Sequence, residues 1–131
     1  MNFELNKVFE NEFIISEKVY ENFINLSNDR NLLHTNAIYA KSKGFDDKVM
    51  HGNILNAFIS FFVGECLPTN EIVIHFQTIK FKNPCYLNEI LKFKATVISI
   101  IKSVNVVEFD YQFSNLESKI IAQGKIQIGI I

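Results

Sequence analysis

Through the second half of the chain, apolar and polar positions alternate with a period of two, the mark of strands buried on one face. Leu91, Phe93, Ala95 and Val97 interleave with Lys92, Lys94 and Thr96. Val107, Phe109, Tyr111 and Phe113 interleave with Glu108, Asp110 and Gln112, and Ile120, Ala122, Gly124, Ile126 and Ile128 share one face of a last run. The pattern predicts strands over residues 72–81, 90–101, 104–113 and 119–130, with a tight turn at Lys102-Ser103 and a hairpin loop over 115–118. Nearer the start, residues 7–15 read as another strand, with Val8, Phe13 and Ile15 set among Glu10 and Glu12. Ser16 is a helix N-cap with Glu17 in the first turn, and Val19, Tyr20, Phe23 and Ile24 recur at helical spacing up to about Ser27-Asn28. A short helix is expected over 37–43, stopped by Gly44. The most apolar helix spans 52–66. Its Ile54, Leu55, Phe58, Ile59, Phe61, Phe62 and Val63 cover most of the circumference, so it should be buried on most sides, and Pro68 and Asn70 end it. The order is therefore a strand, helices, one long apolar helix and a four-stranded antiparallel meander. That is an α+β arrangement with a helix against one face of a sheet.

Length and composition narrow this further. The chain has 131 residues, the size of a single domain covering 1–131. Apolar residues make up 48% and charged residues 21%, enough for one ordinary core and far from disordered composition. With 13 basic and 14 acidic residues the net charge is −1, so no broad positive field exists to bind nucleic acid. A small basic patch for a phosphorylated ligand stays compatible with that balance. Cys66 and Cys85 form no CxxC and have no zinc spacing, so no metal is expected and both read as small packed hydrophobes. A reduced, cytoplasmic protein fits. The first residues lack a basic stretch followed by an apolar run, so no signal peptide is expected. The run over 54–67 is interrupted by Asn56, Ser60, Gly64 and Glu65 and is too polar to span a membrane.

Chemistry-bearing groups concentrate in Ser27-Asn28-Asp29-Arg30-Asn31-Leu32-Leu33-His34, between two helices. His51-Gly52 follows at the start of the apolar helix. Asp29 and His34 on one loop can point into one pocket, where a carboxylate activates water and an imidazole moves a proton near neutrality. The residues alone leave the plainer alternatives open. Unaided, the residues favour Asp29 as a turn or capping residue and His51 as loop packing, and they leave His34 open as an imidazole satisfied by a backbone group. His75, in a strand with Gln77 on the same face, reads as structural.

The same stretch resembles the signature of the MaoC-like dehydratases, the (R)-specific enoyl-CoA hydratase family. That signature runs S-G-D-x-N-P-[LIV]-H, followed by a small residue. Ser27, Asp29, Asn31, Leu33, His34 and Ala40 are in register with it. The later His-Gly pattern is met by His51 and Gly52, with Ser60 eight positions on. Phe81-Lys82-Asn83-Pro84-Cys85-Tyr86 and Gly124 match the pattern's remaining parts, and the resemblance covers nearly the whole chain after Ser16. Three positions depart from it. Asn28 replaces a Gly but tolerates positive φ, Leu32 replaces a Pro, and Asn88-Glu89 replaces a Gly-Asp turn.

The resemblance implies a hot-dog fold, an antiparallel five-stranded sheet wrapped round a long central helix. It also implies reversible hydration of a trans-2-enoyl thioester to the (R)-3-hydroxyacyl thioester. Asp29 and His34 are then the catalytic pair, and Asn31 supports their loop. The Gly52 N–H, with the positive end of a helix behind it, stabilises the charge that develops on the thioester oxygen. Ser60 either faces the acyl pocket and the pair or packs as a helix serine bonded to its own turn. No cofactor is implied beyond the CoA or phosphopantetheine that carries the acyl group, whether the substrate is CoA-linked or bound to an acyl carrier protein. Lys41, Lys43, Lys48, Lys80 and Lys82 fall near the expected mouth by chain order, and each is either a phosphate contact or a solvated side chain. A homodimer is expected. Sheet edges need covering, the Ile-rich last strand would present a sticky face, and the resemblance implies paired sheets. The competing readings are a hot-dog acyl-thioesterase, against which the Asp29-to-His34 spacing argues, and a noncatalytic acyl-binding module.

Overall fold

The computed structural model describes residues 2–131. β1 (Val8–Ile14) leads to α1 (Glu17–Ser27), which Ser16 caps by accepting the Val19 N–H on its Oγ at 3.2 Å. Asn28 ends α1 in the left-handed region at φ 55°, a conformation that asparagine adopts more readily than most residues. The polar segment beyond it contains an unexpected short helix, α2 (Leu32–Thr35), before α3 (Ala37–Ser42). Gly44 follows α3 at φ 92°, which explains a glycine at that stop. The central helix is α4 (Ile54–Phe61), and it continues as a wider π turn over Phe62–Cys66, where an uninterrupted α-helix was expected.

The strands of the second half are β2 (Ile72–Gln77), β3 (Lys80–Phe81), β4 (Ile90–Ile101), β5 (Val106–Ser114) and β6 (Ile120–Ile130). All pair antiparallel in the order β1-β4-β5-β6-β2, with β3 also on β6. The four-stranded meander is thus a three-stranded one, β4-β5-β6, and β2 docks beyond β6. Period-two patterning fixes which face a residue takes but says nothing of which strand lies next to it. The sheet has six strands instead of five because the run over 72–81 breaks at Thr78-Ile79. There the chain steps over β6. Thr78 donates its N–H to Lys125 O at 2.9 Å, and its Oγ1 accepts the Lys125 N–H at 3.0 Å. A side chain at Gly124 would collide with the Thr78 carbonyl, so only glycine allows this crossing. The turn after β4 is likewise longer than expected. It coils through a 3₁₀ turn over Lys102–Val104 and leaves by Asn105 at φ 55°.

The concave face of the sheet meets α4. Ile54, Leu55, Ile59, Phe62 and Val63 join Leu91, Phe93, Phe109, Phe113 and Ile126 in one core. Phe13 stacks on Phe58 at 4.5 Å, and Phe62 and Phe113 each lie 4.9 Å from Phe93. Each fully buried ring contributes about 1.5–3 kcal/mol. This is the hot-dog arrangement. As expected, α4 is buried on most sides, with Ala57, Ser60 and Phe61 leaving an exposed strip beside the buried residues. One expectation changes. β6 is not a sticky free strand: it lies inside the sheet with Ile121, Ile126 and Ile128 buried, and the edges belong to β1 on one side and to β2 and β3 on the other. His75 sits at a bulge of β2 with Nδ1 3.0 Å from Gln127 Oε1, a structural placement as expected.

Candidate active site

The loop after α1 is built by side chains that each bind the backbone two residues ahead. Ser27 Oγ accepts the Asp29 N–H at 3.1 Å, Asp29 Oδ1 accepts the Asn31 N–H at 3.1 Å, and Asn31 Oδ1 accepts the Leu33 N–H at 2.9 Å. Alternate Ser, Asp and Asn are residues whose short polar side chains make such turns. Asn31 is also the N-cap of α2, the helix that carries His34. The turn reading of Asp29 is therefore met by one of its two carboxylate oxygens, and the second is left over. One carboxylate oxygen holds the turn, and the other, Oδ2, faces His34 Nε2 at 4.0 Å.

The imidazole of His34 is fixed from behind. Its Nδ1 lies 2.7 Å from Val49 O, and a carbonyl can only accept, so Nδ1 carries a proton and Nε2 is the ring nitrogen turned toward Asp29. The partner is itself secured, with the Val49 N–H donating to Leu33 O at 3.0 Å and the Met50 N–H to Cys85 O at 3.0 Å. Tyr20 reaches from α1 and donates its hydroxyl to His34 O at 2.7 Å.

His51 is the residue that pattern reading placed outside the site. It is 2% exposed, stacks on His34 with ring centres 4.0 Å apart, and packs against Phe23 at 4.9 Å. Its Nε2–H donates to the Asp29 carbonyl at 2.9 Å, which leaves Nδ1 buried without a partner. Burial pushes its pKa down by more than the hydrogen bond to the Asp29 carbonyl raises it; the neighbouring His34 lowers it further, and the Asp29 carboxylate offsets this least. A neutral His51 thus pins the Asp29 loop and supports the face of His34. The signal in the sequence was its place directly before Gly52.

Gly52 leads into α4 and lines a cavity of about 360 Å³ together with His34, Asn53, Leu55, Phe81 and Cys85. That volume suits a small acyl group. The Phe81 ring lies 2.6 Å from where a Gly52 side chain would begin, so glycine lets the ring cover this spot. Burial pushes the Cys85 thiol up to about 12, which keeps it protonated and inert. Ser60 is exposed on α4 and is not among the residues lining this cavity. Of the lysines, Lys82 lines the cavity. Lys80 lines a separate depression on the outer sheet face, and the Lys48 ammonium lies 4.6 Å over the Tyr20 ring. That outer depression, about 770 Å³, is lined by Lys94, Gln112 and the paired Asp110 and Lys125 and holds none of the His34 cluster.

Asp29, His34 and His51 each offer a ligand atom within 4.8 Å of the other two, so they are also where a cation would sit among the described residues. His34 Nδ1 and His51 Nε2 are both already held by backbone carbonyls. The arrangement is a carboxylate and a free imidazole nitrogen facing each other across a gap, beside an apolar cavity and a helix start.

A family model described as MaoC-like domain matches residues 4–116. An (R)-specific enoyl-CoA hydratase of Rhodospirillum rubrum is 28% identical over 114 residues, covering 87% of this chain and 78% of that protein. A 3-hydroxybutyryl-CoA dehydratase of Methylorubrum extorquens is 28% identical over 97 residues, covering 74% of this chain and 60% of its own length. Among solved structures, an (R)-hydratase from A. caviae involved in PHA biosynthesis superposes with TM-score 0.91 at 18% identity, covering 99% of this chain and 98% of its own. An R-hydratase from Pseudomonas aeruginosa superposes with TM-score 0.88 at 27% identity, covering 98% of this chain and 82% of its own.

Proposed function

This chain belongs to the MaoC-like domain family, and on that footing we propose that it is an (R)-specific enoyl-thioester hydratase, a hydro-lyase working on acyl groups carried by CoA or an acyl carrier protein. The observation that carries the reading is the 4.0 Å gap between Asp29 Oδ2 and His34 Nε2. A water placed at ordinary hydrogen-bond distance, about 2.8 Å, from both atoms sits at the apex of a triangle with an angle of roughly 90°. It donates one hydrogen to each acceptor and turns a lone pair outward, as a nucleophile must. As its oxygen adds to the β-carbon of the enoyl group, the pair takes up a proton, and one of the two returns a proton to the α-carbon. Dehydration reverses these roles.

The carbonyl oxygen gains negative charge as the β-carbon is attacked. The N–H of Gly52, at the start of α4, is the group suited to receive it, and the cavity behind holds the acyl chain away from water. No metal or further cofactor enters these steps. We also read the chain as a cytoplasmic protein and as one half of a homodimer. Support for the dimer comes from the unpaired side of β2, where Val73 and Phe76 are each 44% exposed, and from the open strip of α4 with Phe61 48% exposed. No helix among the described residues is long and apolar enough to cross a membrane.

The test is turnover of trans-2-butenoyl-CoA and longer trans-2-enoyl-CoA thioesters, followed by loss of the conjugated absorbance, with chiral analysis of the product. Hydration to the (R) alcohol, undiminished by a chelator, is expected. Release of free thiol from a saturated acyl-CoA would favour the thioesterase reading. Binding without turnover would favour the acyl-binding module. An (S) product would overturn the stereochemical assignment.

A further inference from the structure

Three side-chain amides form a chain from the edge strand β2 to the mouth of the His34 cavity. Gln77 Nε2–H donates to Asn56 Oδ1 at 2.7 Å, and Asn56 Nδ2–H donates to Asn53 Oδ1 at 2.9 Å. A primary amide has a donor end and an acceptor end, so each bond sets the orientation of the next group. The chain ends at Asn53, whose oxygen is occupied and whose NH₂ group is left over. Asn53 is the N-cap residue of α4, a position where asparagine ordinarily turns its oxygen to the first N–H groups of the helix. Here it makes no such capping bond, because the oxygen is turned to Asn56. Asn53 is exposed, and it lines the cavity beside Gly52 and Phe81. The leftover donor thus belongs to an exposed lining residue next to Gly52, at the open side of the cavity where an acyl carrier can leave it.

We infer that Asn53 is a specificity residue: its side-chain N–H, held in orientation by Asn56 and Gln77, donates to an amide carbonyl of the thiol arm that carries the acyl group. The inference rests on the hydratase reading and deepens it. It selects an arm with amide carbonyls close to the thioester, the chemistry shared by CoA and a carrier-protein arm, over a simple alkyl thiol. Asn53 contacts the arm and not the reacting carbons. Asn56 and Gln77 act through Asn53 as positioning residues.

Two substrates separate this role from a structural one: trans-2-butenoyl N-acetylcysteamine, whose arm has one amide, and the S-ethyl thioester of the same acid, which has none. The readout is the ratio of their kcat/KM values. One neutral hydrogen bond corresponds to about a threefold to tenfold preference for the amide-bearing substrate. Asn53→Leu should remove that preference, and its exposed position leaves the core untouched. Gln77→Glu is the sharper variant. A carboxylate cannot donate, so Asn56 turns its NH₂ to position 77, Asn53 turns its NH₂ to Asn56, and an oxygen replaces the donor at the mouth. Gln77→Glu should therefore lower the ratio from a distance by a similar factor, and the double variant Asn53→Leu/Gln77→Glu should lower it no further. A wild-type ratio in Asn53→Leu overturns the contact, and a wild-type ratio in Gln77→Glu overturns the relay. If the wild-type protein turns over neither these substrates nor an enoyl-CoA, the hydratase reading falls and this inference with it. Turnover with unchanged ratios removes the inference alone.

Discussion

Replacing His51 by Phe should separate the stability of the fold from the competence of the site. The new ring can keep the stack on His34 and Phe23, where the present centroid distances are 4.0 and 4.9 Å. What goes is the 2.9 Å bond from Nε2 to the Asp29 carbonyl, a loss of about 0.5–1.5 kcal/mol. What goes with it is the buried, unpartnered Nδ1, whose burial costs about 1–3 kcal/mol. The two terms oppose each other, so at pH 8 the variant should lie between about 0.5 kcal/mol less stable and about 2.5 kcal/mol more stable than wild type. Activity should not survive as well. The bond ties the Asp29 turn to the start of α4, and a displacement of about 1 Å in a reacting group can cost roughly 10²-fold in turnover. The pH dependence gives a second, independent readout. The folded-state pKa of His51 lies below its ordinary 6.5, so as pH falls through 6.5 the unfolded chain takes up this proton first. The neutral His51 contribution is complete above 6.5 and is lost between 6.5 and the lower folded value. Its slope is at most about 1.4 kcal/mol per pH unit, or about 3–5 °C in Tm for a chain of this size. Phe titrates nothing, so relative to wild type the variant should gain Tm as pH is lowered from 7.5 to 5.5. Thermal melts across that range, beside hydratase assays at pH 8, check both points. Parallel melting curves, or full activity in His51→Phe, would refute the reasoning.

Other outcomes follow from single contacts. Asn31→Ala removes the N-cap of α2 and should cost about 1 kcal/mol in denaturant unfolding, with a fall in kcat that exceeds any rise in KM because His34 loses its register. Gly52→Val puts two methyl groups against the Phe81 ring, which already lies 2.6 Å from the site of a Cβ; activity should fall at least about tenfold while unfolding changes little, since Phe81 is half-exposed and can move. Gly124→Ala meets the Thr78 backbone, which cannot move as a side chain can, and should destabilise by about 1–3 kcal/mol in a urea titration.

The elements were legible because their signals are local. Leu91, Phe93, Ala95 and Val97 alternate with lysines and do point to the core, and Ser16, Asn28 and Gly44 stand at the helix ends they marked. The Ser27-to-His34 stretch was legible as a turn, since alternate Ser, Asp and Asn make the bonds found there. What stayed hidden depends on partners distant in the chain. The break at Thr78 makes sense only once Lys125 and Gly124 lie beneath it. The docking of β2 beyond β6 is set by which edge is free after the meander forms. His51 looked like a loop residue because its partners, the Asp29 carbonyl and the His34 ring, come from a segment far back in the chain.

A double-mutant cycle on Asp29 and His34, read as kcat/KM for trans-2-enoyl-CoA hydration, tests the central claim most directly. Asp29→Asn keeps an oxygen for the Asn31 N–H, so the turn survives while the atom facing His34 Nε2 at 4.0 Å loses its charge. His34→Gln removes the nitrogen on the other side of the gap. Each single variant should lose ~10²–10⁴-fold while still folding, and the double variant should lose far less than the product of the two, because both groups act on one water. Near-normal turnover in either single variant, or losses that simply multiply, would contradict a shared water held between Asp29 and His34.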